Sequence, residues 1–183
     1  MLFAYDTEAT LAFAAALVNT GEGASNSRDD ELTDIAALEQ LLEEHEYSGR
    51  RDRDDAELQE VRALRAEFHR FWEVDRDIAV GLVNDILRDS NALPQLVRHG
   101  DWDWHLHATA ADAPLATRMR VEVAMAFIDV IRTDEFDRLR ECAADDCAAV
   151  LVDLSRNRSK RYCDVGNCGN RMNVNAYRKR RGA

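Results

Sequence analysis

CAADDCAAVLVDLSRNRSKRYCDVGNC, residues Cys142–Cys168, holds all four cysteines of this 183-residue chain. Their spacing is C-x4-C-x15-C-x4-C, two close pairs separated by enough chain for a hairpin. A tetrahedral Zn2+ ion takes four soft donors, and two short Cys-to-Cys loops each present two thiolates from one side. Cys142, Cys147, Cys163 and Cys168 are therefore the predicted ligands of one structural zinc ion. Four thiolates leave no coordination position for water, which speaks against a catalytic zinc. The short segment around them buries too little surface to fold alone, so zinc becomes a condition of its folding.

Within this segment Ala148–Asp153 predicts a strand, Lys160–Cys163 its return and Ser155–Ser159 the turn between them. A helix is expected over Asn170–Arg181, with Asn170 or Asn173 as its N-cap. A knuckle, a hairpin, a second knuckle and a helix resemble treble-clef-like zinc modules. In that arrangement a helix N-terminus beside the last cysteines favours the thiolate form.

The net charge of −11 discourages a nucleic-acid partner, but its distribution does not. Residues 138–183 carry a net +6 and residues 1–137 a net −17, an asymmetry that suggests a polyanionic partner for one end only. The candidate nucleic-acid contacts are Arg156, Arg158, Lys160, Arg161, Arg171, Asn175, Arg178, Lys179, Arg180 and Arg181. A helix carrying Asn175 and several arginines suits a major groove, with Arg and Asn reading bases and Lys meeting phosphate. The competing reading is a solvated tail with internal ion pairs, in which Arg156, Asn157 and Arg171 hold the finger together against Asp153 or backbone carbonyls.

Upstream, the chain reads as helices. Residues 7–18 form a short Ala-rich helix closed by Asn19-Thr20-Gly21, and residues 20–30 a polar loop. Ile35, Leu38, Leu41 and Leu42 mark a helix within 33–45. Asp54 and Glu57 form a capping box before a stripe of Leu58, Val61, Leu64, Phe68, Phe71 and Trp72. A further helix covers 76–89, followed by a loop with Asn91 and Pro94. Leu115–Arg132, the most apolar helix, is the expected centre of a bundle. Thr133-Asp134 restarts a short helix, Glu135–Arg140, that docks the two modules. The fold class is mainly α: a helical N-terminal domain over 1–137 and a small treble-clef-like α/β zinc module over 138–183.

Residues 101–109, DWDWHLHAT, alternate as a strand or hairpin does. His99, His105 and His107, with Trp102 and Trp104, form the only other cluster of chemical interest. His105 and His107 suit a metal or an anionic ligand on one face of a strand; the plainer reading is a packed aromatic hairpin with surface histidines. No nucleophile–base–acid set, phosphate-binding glycine loop or paired-carboxylate motif stands out, so no enzyme is expected. Asn19 and Thr20 read as helix-end residues. The apolar run Leu11–Val18 is too short to span a bilayer and has no basic residue before it. A cytoplasmic protein without membrane contact follows, and in that compartment paired cysteines more often hold metal than form disulfides.

R-L-R-x-C-x4-C from Arg138, L-V-D-L-S-R-N-R-S-K-R-Y-C over Leu151–Cys163, and Cys168-Gly169-Asn170-Arg171 resemble the CGNR zinc finger. The segment L-A-F-A-A-A-L-V-N-T, ending at Asn19-Thr20, resembles the opening motif of the ABATE domain that precedes this finger in its family. It departs where Ala14–Leu17 stand, since the family often has an acidic residue and an aromatic there. The resemblance implies a stress-linked bacterial transcription regulator. The first functional reading is then a finger that binds nucleic acid, DNA before RNA, and a helical body that senses a small-molecule ligand or forms a homodimer. The alternative is an RNA-binding or protein-interaction adaptor in which zinc only shapes a basic docking surface.

Overall fold

The computed structural model describes residues 2–24, 29–100 and 102–182, so part of the expected 20–30 loop and Asp101 lie outside the described residues. The chain runs through α1 (Tyr5–Asn19), α2 (Ile35–Glu44), α3 (Asp55–Glu73) and α4 (Arg76–Asp89). A hairpin of β1 (Gln95–His99) and β2 (Trp102–His107) then leads to α5 (Leu115–Arg132). A 3-10 turn (Phe136–Arg138), β3 (Leu139–Glu141), β4 (Val150–Val152) and α6 (Cys168–Gly182) complete it. The architecture is mainly α with a small zinc module, as the sequence predicts.

Three helices start behind an aspartate. Asp34, Asp54 and Asp75 each accept from the backbone N–H three residues on, at 2.9, 2.8 and 2.9 Å. Each such cap stabilises its helix by about 1 kcal/mol. The capping box at α3 is extended: the Glu57 carboxylate reaches past Asp54 to accept from the N–H groups of Asp52 (3.0 Å) and Arg53 (2.9 Å). It thereby fastens the turn before the helix as well as its first residues.

α5 is the central helix, packed against α1, α3 and α4. Phe127 stacks on Phe71 with ring centroids 3.9 Å apart, and Trp72 meets Phe127 edge-on. Ala14 and Leu17, where the sequence departs from the family's motif, are fully buried in this core. No described helix is long and apolar enough to cross a membrane.

The zinc module shares the core of the body. β3 and β4 pair antiparallel, with Leu139 opposite Val152 and Glu141 opposite Val150, and Val150 and Val152 pack in the same apolar cluster as Leu11 and Phe127. The buried side chain of Asn19 replaces a neighbouring strand: its Nδ2 donates to the Val150 carbonyl at 2.9 Å and its Oδ1 accepts from the Val150 N–H at 2.8 Å. The Trp72 indole donates to the Leu151 carbonyl at 3.0 Å, and the Ala148 N–H to the Gly23 carbonyl at 3.1 Å.

Four local expectations change. Glu135–Arg140 is not a helix but a 3-10 turn running into β3, because pairing with β4 overrides the helix propensity of these residues. β4 therefore takes its partner from before the first cysteine, and Lys160–Cys163 is not its return strand. Instead the Arg161 carbonyl accepts from the Ala143 N–H at 2.8 Å, which lays this segment along the first knuckle. The aromatic strand has a partner, β1, in the segment expected to be loop. Finally, α6 starts at Cys168, with Asn167 rather than Asn170 or Asn173 before its first turn.

Candidate metal centre and nucleic-acid interface

Each cysteine pair sits on a tight turn built by backbone hydrogen bonds. The first knuckle is closed by Cys147 N–H to the Ala144 carbonyl at 3.1 Å, and its base by Cys142 N–H to the Ala149 carbonyl at 2.8 Å. The second ends where α6 begins, with the Arg171 N–H donating to the Asn167 carbonyl at 3.1 Å. The four sulfurs all lie within 4.8 Å of one another. Cys147 and Cys163 are 3.7 Å apart at Sγ, Cys163 and Cys168 3.6 Å. Sulfurs about 2.3 Å from a zinc ion at tetrahedral angles stand roughly 3.8 Å from each other. All four cysteines are free, and the separations far exceed the ~2.05 Å of a disulfide. The set fits one structural zinc ion held by Cys142, Cys147, Cys163 and Cys168.

Four thiolates around Zn2+ leave a net negative centre, and the surroundings answer that charge. The Cys163 N–H donates to Cys142 Sγ at 3.4 Å, and Arg171 Nη2 donates to Cys168 Sγ at 3.1 Å. Arg171 is held there by a forked pair to Asp146 at 2.6 and 3.1 Å and by the Gly166 carbonyl. Burial pushes the Cys147 and Cys163 thiols up. Burial acts in the same direction on Cys168, but the hydrogen bond from Arg171 and those of the other thiols outweigh it and hold that group below the ordinary thiol range. The Cys168-Gly169-Asn170-Arg171 run thus has separable roles. Cys168 is a ligand and Arg171 caps its sulfur. Gly169 lets Tyr162 approach, since a Cβ there would lie 3.3 Å from the Tyr162 ring. Asn170 is exposed.

The loop between the pairs is organised by buried Asp153. Its Oδ1 accepts from the Ser155 N–H at 3.0 Å and from the Ser155 hydroxyl; its Oδ2 accepts from the Lys160 N–H at 2.9 Å and pairs with Arg140 at 3.2 Å. Burial opposes the Asp153 charge, yet these hydrogen bonds and Arg140 hold its carboxyl below the usual carboxylate range. The loop tip, Arg156 and Asn157, is exposed.

The ten candidate contacts divide by what they already touch. Arg158 bridges Glu135 and Asp137, both at 2.8 Å; Lys160 pairs with Asp164 at 2.6 Å; Arg171 serves the metal centre. Arg161 lies over the Tyr162 ring and Arg181 over that of Tyr177. Arg156, Asn175, Arg178, Lys179 and Arg180 are exposed and have no carboxylate partner among the described residues. Asp153 is thus partnered by Arg140, and Arg171 by Asp146, whereas Arg156 extends from the loop. Sequence reasoning missed Asn19, whose amide joins body to finger. The available signal was a carboxamide at the end of an otherwise apolar helix.

The three histidines also come together. β1 and β2 place Val97 opposite His105 and Gln95 opposite His107, with the pairing shifted by one between Val97 and His99. Alternation puts His99, His105 and His107 on one face. His105 is buried and His107 half-buried, while His99 is exposed, so the surface-histidine reading holds for His99 alone. Burial, then His105 and His99, push His107 down to about 4.

A helical body whose core is completed by a four-cysteine zinc module defines a zinc-finger protein of mainly α architecture. The chain belongs to the ABATE family, described as "Putative stress-induced transcription regulator", whose model matches residues 11–134. The CGNR zinc finger follows at residues 138–181. No curated protein matches the chain.

Proposed function

We propose that this protein is a transcription regulator that binds DNA through its zinc finger, with α6 as the contacting element. The observation that carries the proposal is that α6 begins at a zinc ligand and ends in Arg178, Lys179 and Arg180, all exposed and unpaired with any described carboxylate. The metal anchors the first turn, so the cations stand on a fixed helix. Asn175, Arg178 and Lys179 are spaced i, i+3 and i+4, one helix face, as base and phosphate contacts require. Arg156 adds a cation from the loop tip. The body, at net −17, repels a duplex and leaves the finger as the end that approaches it. Its role in this reading is to sense a signal or to dimerise.

The test is fluorescence anisotropy with double-stranded promoter fragments across a salt series, for the full chain and for Arg178→Ala and Arg180→Ala. With Arg156, Arg178, Lys179 and Arg180 each neutralising a phosphate, log K falls with log salt at a slope of about −3.6. Each substitution flattens that slope by about 0.9. A flat salt dependence refutes the proposal. Equal retention of any RNA or DNA replaces it with an adaptor role.

A further inference from the structure

A second set of converging donors lies far from the cysteines in sequence. The Nε2 atoms of His99, His105 and His107 form a triangle with sides of 3.3 Å (99–107), 3.2 Å (99–105) and 3.0 Å (105–107). The ring centroids are 4.7 to 5.2 Å apart and the rings are steeply inclined, so they meet at their Nε2 corners rather than by stacking. Nitrogens about 2.0–2.1 Å from one ion stand roughly 3.0 Å apart at right angles and 3.4 Å apart at tetrahedral angles. The observed sides span that range.

Hydrogen bonding alone does not satisfy this triangle. His105 Nδ1 lies 2.7 Å from the Asp103 carbonyl, which only accepts, so Nδ1 carries the proton and Nε2 presents a lone pair. Whichever tautomers His99 and His107 adopt, a triangle cannot alternate donor and acceptor. At least one side sets lone pair against lone pair or N–H against N–H. A cation at the centre removes that conflict, because it accepts all three lone pairs.

The setting agrees. The Asp103 carbonyl on His105 is the outer partner that orients metal-binding imidazoles, and Glu122 lies 4.0 Å from His107 Nδ1 on the ring's other side. Glu122 is itself held by the Tyr47 hydroxyl. The histidines border a cavity of about 440 Å³ between the hairpin, α1 and α5, whose lining includes Asp6, Glu122 and Asp129. Four carboxylates, Glu46 being the fourth, against a single arginine, Arg132, on such a wall favour a cation. Imidazole donors select zinc and its transition-metal neighbours over magnesium or calcium.

We propose that His99, His105 and His107 form a second metal site, a three-histidine centre for a divalent transition metal. Three ligands leave at least one coordination position for water or a small ligand from the cavity, unlike the closed four-cysteine site. The proposal stands whether or not the finger binds DNA.

The experiment uses the untagged full chain, loaded with one equivalent of zinc at the cysteines and then titrated with Co2+. The expected result is one further equivalent bound, with visible d–d absorption and no thiolate charge-transfer band. His105→Ala and His107→Ala abolish that uptake or weaken it by about 100-fold or more, beyond the 10–100-fold that losing an outer partner costs. His99→Ala, at a less buried position, does the same with less risk to folding. His69→Ala, outside the cluster, leaves the uptake unchanged. Failure of the wild-type chain to take up a second equivalent at micromolar Co2+ overturns the proposal. So does a second equivalent that survives His99→Ala in folded protein with its cysteine-bound zinc intact.

Discussion

Asn19→Ala removes the one side chain that hydrogen-bonds both backbone groups of Val150. Val150 is buried, and its N–H and C=O on this edge of β4 face α1, so neither regains water when the amide is lost. Leaving a buried polar group unpaired costs about 1–3 kcal/mol. For two groups the expected loss is about 3 kcal/mol or more. At about 2–4 °C per kcal/mol in a chain of this size, Tm falls by about 6–12 °C. The assay is urea and thermal unfolding with zinc in slight excess, so that metal loss does not contribute. Asn19→Asp keeps the acceptor for the Val150 N–H but sets a carboxylate oxygen against the Val150 carbonyl, and is at least as destabilising. Trp72→Phe removes the hydrogen bond to the adjacent Leu151 carbonyl and part of the ring that meets Phe127, and costs about 1 kcal/mol or more. The double variant is non-additive by more than about 0.5 kcal/mol, since both side chains hold one short strand. A loss below about 1 kcal/mol for Asn19→Ala would refute the claim that this amide ties the finger to the body.

Arg171→Ala removes the hydrogen bond to the Cys168 sulfur, and zinc affinity measured by chelator competition drops about 10–100-fold. Arg171→Lys keeps the charge without the fork and recovers only part of it. Cys168→Ser takes away both a ligand and the start of α6, so zinc stoichiometry at the finger and the helical circular-dichroism signal of α6 fall together. Asp153, held below the usual carboxylate range, contributes stability that is present above the ordinary carboxylate pKa and is lost as pH falls through its lower folded value. The acid limb of the unfolding curve is therefore shallower in Asp153→Asn, which is also less stable at neutral pH because Arg140 loses its partner. Phe127→Ala opens the stack on Phe71 and costs about 3–5 kcal/mol by chemical denaturation.

Much of this architecture was legible in linear order. The stripe from Leu58 to Trp72 and the run Leu115–Arg132 locate α3 and α5, because a helix buried on one side repeats its apolar residues at its own period. Asp54 marks a helix start through a purely local hydrogen bond. β1 was not legible: Gln95–His99 is mostly exposed and has no alternating apolar face, so only β2 makes it a strand. Leu139 and Arg140 read as helix for the same kind of reason, since their strand state comes from β4. Among the basic residues, composition showed an excess of charge. It did not show that Arg158, Lys160 and Arg171 are taken by carboxylates, because Glu135, Asp137, Asp146 and Asp164 are brought to them by the fold.

By itself, then, the sequence determined the helical class, the metal and its four ligands. Those follow from periodicity and from spacing within short loops, where a few residues suffice to bring the donors together. Tertiary structure alone decided that the finger completes the body's core through Asn19, Trp72 and β4, and which cations stay free. It also brought three histidine nitrogens to one point. Each of these depends on where separate segments meet, and such meetings are set by packing and strand pairing that no local pattern encodes.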